Sequence, residues 1–196
     1  MIGILLAAGF SRRFGASNKL LQPMADGRPI ALAAAKNLMQ AVPDCIAVVR
    51  PDNTALATLL RQAGVNVLAC EETELEMADS LCAAIRHSAN FEAAQQGFVI
   101  ALADMPYIQP TTIRMVANKL NDRESIVIPT YHGQRGHPVA FAAQYRSELE
   151  ALKGDEGARA IVKRHTSAIC LLPCEDAGIL ADIDTLQDLE REEFRV

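Results

Sequence analysis

"IGILLAAGFSRRFGASNKLL", residues 2–21, starts apolar and then breaks into glycine, serine and the positive charges of Arg12, Arg13 and Lys19. Its first part, IGILLA (2–7), has no polar face, as expected of a strand buried on both sides in a parallel sheet sandwiched by helices. From Ala7 to Pro29 neither helical nor strand periodicity is convincing. A loop that long in a compact domain is uncommon and usually functional. A buried strand feeding a long basic loop is the pattern from which the fold is read.

The same kind of strand recurs along the chain. CIAVVR (45–50), VNVLAC (65–70), GFVIALA (97–103), SIVIP (125–129) and AICLLP (168–173) all read as strands. Amphipathic helices fall between them. Leu32, Ala35, Leu38, Met39 and Val42 lie at helical spacing, as do Leu56, Leu59, Leu60 and Ala63 ahead of Gly64. Ile113, Val116, Ala117 and Leu120 form a third stripe behind Pro110, and Thr185 and Asp188 match a capping box before a short last helix. YHGQRGHPVAF (131–141) breaks the alternation, since its Gly-rich turn leads into the apolar PVAF. It reads as a loop entering an extra strand, open to antiparallel pairing. The expected fold is a single three-layer α/β/α domain, 1–196, with a mostly parallel, Rossmann-like sheet and right-handed crossovers.

Composition narrows the function. A net charge of −5 argues against non-specific nucleic-acid binding, which needs a basic surface, so any positive site must be local. The five cysteines are odd in number and scattered, which fits small core side chains in a reducing compartment better than a disulfide framework. No apolar run approaches the roughly 20 residues of a membrane span. MIGILLAAG is short for a signal peptide and lacks a basic leader. The expectation is a cytoplasmic protein without nucleic-acid or membrane partners.

In open α/β sheets, ligands sit outside the carboxyl ends of the strands. That rule singles out Ala7 to Lys19, Asp104, and the residues near Asp182. Ala7, Ala8 and Gly9 leave room for backbone N–H groups to approach a ligand. Arg12, Arg13 and Lys19 can offer charge-assisted hydrogen bonds to phosphate, Arg12 being the best candidate for plain surface. The P-loop pattern fails, because Gly15 precedes Ala16 and the lysine comes at 19; GxGxxG is absent too. Asp104 ends a strand before Met105-Pro106 and reads either as a ligand or as a helix cap. Asp182 and Asp184, by alternation, would share one face.

LLAAGFSRRFGASNKLL resembles the LAAGxSxRxGxxK signature of the MobA-like nucleotidyltransferases, and most of all their molybdenum cofactor cytidylyltransferase branch. ALADMPYI (101–108), GQRGHPVAF (133–141), GDEGARAIV (154–162) and ADIDTLQDL (181–189) have counterparts in the same order. The resemblance implies a nucleotide-diphospho-sugar transferase type of fold. It implies an Mg²⁺-dependent enzyme that moves a nucleoside monophosphate onto a phosphate-ended acceptor, with molybdopterin as the acceptor. Leu6, Ala7, Ala8, Gly9, Ser11, Arg13 and Lys19 would bind the nucleotide, and Lys19, Arg13 and Asp104 would carry the catalysis. Asp104 would hold the metal with an acid of the DIDT segment, Asp182 being preferred to Asp184.

EMADSLCAAIR (76–86) corresponds to a family segment reading GMxxSL, so Ser80 would also hold the nucleotide; Glu76 stands where the family has glycine. Asp79 or Ser80 reads equally as a helix cap. Arg135 and His137 would bind the acceptor or shape its loop. Arg159 would reach the cleft or, as the preferred reading, pair with Asp155 or Glu156. Ala-Ala-Gly goes with CTP in the family, where Ala-Gly-Gly goes with GTP. A transient contact with a molybdoenzyme or its chaperone would follow. The other readings are transfer to a sugar phosphate or another phosphorylated metabolite, and a non-catalytic nucleotide- or pterin-binding accessory protein.

Overall fold

A computed structural model describes residues 1–9, 18–70, 77–121, 125–154 and 157–190. Within them eight strands join one sheet: β1 (Ile2–Ala7), β2 (Cys45–Val49), β3 (Asn66–Ala69), β4 (Phe98–Leu102), β5 (Ile126–Tyr131), β6 (Gln134–Arg135), β7 (Val139–Phe141) and β8 (Ile169–Pro173). The order starts β3-β2-β1-β4-β7-β5, and β3, β2, β1 and β4 are all parallel. The PVAF run becomes β7, which enters antiparallel between β4 and β5. The two-residue β6 closes a hairpin onto the end of β5. Ile126 and Val127 pair with both β7 and β8, so β8 lies on the opposite flank of β5, parallel to it.

Side-chain alternation along these strands splits the core in two, as period-two geometry requires. Leu5, Ala47, Val49, Val99, Ala101, Val127 and Ala140 pack on one face under α1 (Ile30–Ala41), α2 (Thr54–Gln62) and α4 (Pro110–Asn121). Ile2, Ile4, Ile46, Val48, Phe98, Ile100, Ile126 and Phe141 pack on the other against α3 (Met77–His87), α5 (Arg146–Glu150) and α6 (Arg159–Arg164). This is a three-layer α/β/α fold. β1, β2 and β4 are buried almost throughout, whereas the edge strands β3 and β8 are half exposed. The expected short last helix forms as a 3-10 turn, Leu186–Glu190. None of the five cysteines forms a disulfide among the described residues. Among the described residues no helix is long and apolar enough to cross a membrane.

Candidate active site

β1 and β4 are parallel neighbours in register Leu6 to Leu102, and the Ala103 N–H donates to the Leu6 carbonyl at 3.0 Å. The turn after Ala7 and the carboxylate of Asp104 therefore leave the sheet side by side. Ala7 is buried, Leu6 and Ala8 are half-buried and Gly9 is exposed. A Cβ added to Gly9 would meet nothing within 4 Å among the described residues, so packing there does not demand glycine.

Lys19 returns the chain to this edge on a 3-10 turn, Lys19–Leu21. Asn18 fixes the entry: its Oδ1 accepts from the Leu20 N–H at 3.2 Å, and its Nδ2 donates to Asn53 Oδ1 at 2.9 Å. Asn53 also caps α2 by accepting from the Leu56 N–H at 3.3 Å. With its backbone held and Leu20 buried, Lys19 points its ammonium inward. Nζ donates to Asp104 Oδ2 at 2.9 Å and to Asp184 Oδ1 at 3.2 Å. The lysine side chain is 10% exposed, against 26% and 39% for the two carboxylates. Burial alone would depress the lysine pKa, but attraction and hydrogen bonding from Asp104, then Asp184, outweigh it and the net direction is upward. Lys19 is a firmly charged ammonium.

Asp184 comes from more than 80 residues away and is delivered by a stitched segment (176–184). Buried Asp176 accepts from the Gln109 N–H at 2.9 Å through Oδ2 and from the Gly178 N–H at 3.0 Å through Oδ1. Gly178 and Gly136 both lie where a Cβ would collide with backbone, that of Tyr107 in the first case and of Ile179 in the second. The His137 N–H donates to the Ile179 carbonyl at 3.0 Å, and the Ile183 N–H to the Asp104 carbonyl at 2.9 Å. Asp188 then takes hydrogen bonds from the Asp184 and Thr185 N–H groups at 3.0 and 2.7 Å, the reach-back expected of the Thr185–Asp188 pair.

Of the two candidate acids, the geometry places Asp184, not the preferred Asp182, beside Lys19. Residues 181–184 are irregular rather than a strand. Ile183 is fully buried, Asp182 is exposed, and Asp184 is the acid that reaches Lys19.

His137 lies on the same side of the molecule's chemistry: Asp104 and Arg159 are both near enough to act on its charge. The residue is partly exposed, yet its Nδ1 is out of reach of solvent and has no hydrogen-bond partner among the described residues. Burial first, and Arg159 as well, push its pKa down to about 4 against the pull of Asp104, so the ring is neutral at pH 7. Arg135 is exposed on β6. Ser80 is buried inside the start of α3 and accepts from Cys70 Sγ at 3.5 Å. Ser11, Arg12, Arg13, Glu76, Asp155 and Glu156 lie outside the described residues.

A family model described as the MobA-like NTP transferase domain matches residues 3–169. The chain belongs to the MobA-like nucleotidyltransferases. It is 29% identical to purine catabolism protein PucB of Bacillus subtilis over 97% of this chain and 94% of that one. The crystal structure of Rv0371c from Mycobacterium tuberculosis superposes with a TM-score of 0.82 at 28% identity, covering 100% of this chain and 99% of that one; its manganese complex matches at 0.74 and 24%, over 97% and 96%. Molybdopterin-guanine dinucleotide biosynthesis protein A from Archaeoglobus fulgidus shares the fold, with a TM-score of 0.67 and 18% identity over 97% and 96%.

For a MobA-like chain, the cluster has a donor set suited to a hard divalent cation: carboxylate oxygens, already arranged about a positive charge. Among the described residues no group of three or more His, Cys, Asp or Glu gathers around one point. Asp176 and the Asn18–Asn53 pair escaped the sequence reading. Asp-x-Gly at 176–178 is an Asx-turn signal, but its bond to Gln109 is long-range and carries no local signature.

Proposed function

We infer that this nucleotidyltransferase moves CMP from CTP onto a phosphate-ended acceptor of the molybdopterin class and releases pyrophosphate. The observation that carries the reading is Lys19 Nζ at 2.9 Å from Asp104 Oδ2, at the edge where β1 and β4 end. It sets the lysine that follows the basic first loop against an acidic strand end, as binding a metal-associated triphosphate requires. Asp104, with Asp184 beside it, would hold Mg²⁺, which normally takes only one or two carboxylates and when bound neutralises phosphate charge. That the structural neighbour Rv0371c was crystallised as a manganese complex fits a requirement for a divalent ion.

An acceptor phosphate oxygen attacks the α-phosphorus in line, and the bond from that phosphorus to the β-phosphate oxygen breaks. The acceptor is ionised at neutral pH, so no general base is required. His137, held neutral, is suited to hydrogen bonding with the acceptor rather than to taking its proton. Lys19, with Arg13, stabilises charge that builds on the α-phosphate and the leaving pyrophosphate. Leu6, Ala7, Ala8, Gly9 and Ser11 cradle the phosphates, Ser80 supports the nucleotide side, and Arg135 meets the acceptor. CTP is preferred because Ala8, unlike a second glycine, adds a methyl where a purine needs room. The test is a screen of four NTPs with Mg²⁺ and purified molybdopterin, read as pyrophosphate release. CTP should react best. A faster reaction with GTP overturns the base assignment, and release from a sugar phosphate but not molybdopterin overturns the acceptor. No metal-dependent release with any pair leaves the accessory-protein reading.

A further inference from the structure

The Lys19 ammonium occupies the place on the Asp104–Asp184 pair that a divalent cation would take. It is 2.9 Å from one carboxylate and 3.2 Å from the other, and it is the least exposed of the three side chains. We propose that Lys19 is the resident counter-ion of this pair and keeps free divalent metal off it until a triphosphate draws the ammonium away. The inference rests on the reading above, in which the two acids are the metal's protein ligands.

The ammonium offsets one of the two carboxylate charges. Adding a divalent ion with the lysine still in place would set two cations against the same carboxylates in a partly desolvated setting, where like charges a few ångströms apart repel strongly. The metal therefore binds poorly alone. A triphosphate supplies the missing negative charge and also gives the ammonium new oxygen partners. The lysine can make that exchange because only its backbone is pinned: Asn18, Leu20 and Asn53 fix the turn, while a flexible four-carbon stem carries the charge. Metal and nucleotide thus bind as a unit, and one side chain serves first as placeholder and then as phosphate ligand.

The test measures Mn²⁺ binding by electron paramagnetic resonance, and separately the metal-induced rise in unfolding temperature, with and without CTP. Wild type is compared with Lys19→Met and with Lys19→Gln, the latter keeping a polar head should the former fold poorly. Without nucleotide, both variants should bind Mn²⁺ on the order of tenfold more tightly than wild type and show the larger thermal shift. With CTP present, that advantage should disappear. Equal or weaker Mn²⁺ binding by both variants without nucleotide overturns the inference. If wild type still takes Mn²⁺ with CTP and Asp104→Asn does not, the reading of the metal site survives that failure. If wild type takes no Mn²⁺ even with CTP, both fall together.

Discussion

Two regions near the Asp104 strand end are held by different physics. On the Lys19 side, charge is set against charge: one ammonium shared by two carboxylates, each with appreciable access to water. On the His137 side, backbone is set against backbone: Gly136 lies flush on Ile179, Gly178 on Tyr107, and the only buried side-chain nitrogen without a partner among the described residues is His137 Nδ1. Charge contacts can exchange partners at little cost when a ligand brings its own charge. Packed backbone cannot move without losing contact and hydrogen bonds together. The first side is built to change during turnover and the second to stay where it is.

The sharpest way to break this contrast is at Lys19. Lys19→Ala should lower turnover on the order of 10²–10³-fold, equivalent to about 3–4 kcal/mol, while weakening CTP binding far less. Single-turnover rates set against equilibrium binding decide it, and equal losses in both would make the lysine a simple anchor. The His137 side should respond to pH instead. Its pKa is ordinarily 6.5 and falls to about 4 on folding, so the unfolded chain binds the proton more readily. The stability from the neutral ring is complete above pH 6.5 and drains away as pH falls toward 4, by about 2–3 kcal/mol. Urea unfolding at stepped pH should show that slope in wild type and lose it in His137→Asn.

Gly136→Ala forces a methyl against the Ile179 backbone and should cost about 2 kcal/mol in urea unfolding, whereas Gly9→Ala should cost close to nothing. Similar costs at the two glycines would erase the distinction between the sides. The smallest effect belongs to the anchor of the lysine's turn. Asn53→Ala removes the α2 cap and the partner of Asn18, for about 1 kcal/mol, and should lower kcat more than it raises KM.

Much of this was legible in the chain because local patterns carry it. The strands 2–7, 45–50 and 97–103 stand out as apolar on both faces, and they are the buried parallel centre of the sheet. Lys19 and Asp104 stood out by type and by position after those strands. The choice between Asp182 and Asp184 did not, because alternation is informative only inside a strand, and residues 181–184 are irregular. Arg159 shows the same limit. Its charge acts on His137 from another segment, a link with no local signature. Asp155 and Glu156, the partners suggested by its sequence neighbours, lie outside the described residues. Asp176 has a local partner in the Gly178 N–H, but its other bond, to the backbone of Gln109, spans 67 residues and leaves no local signature.

By itself the sequence determined the layering of the fold, its family, and which residue types could meet a triphosphate; each follows from short-range periodicity and motif, which depend on neighbours along the chain. Only the tertiary structure decided that Asp184 joins Asp104 around Lys19 and that His137 has its Nδ1 sealed from solvent and its ring neutral. Those outcomes depend on distances and desolvation between segments far apart in sequence, and no local pattern records them.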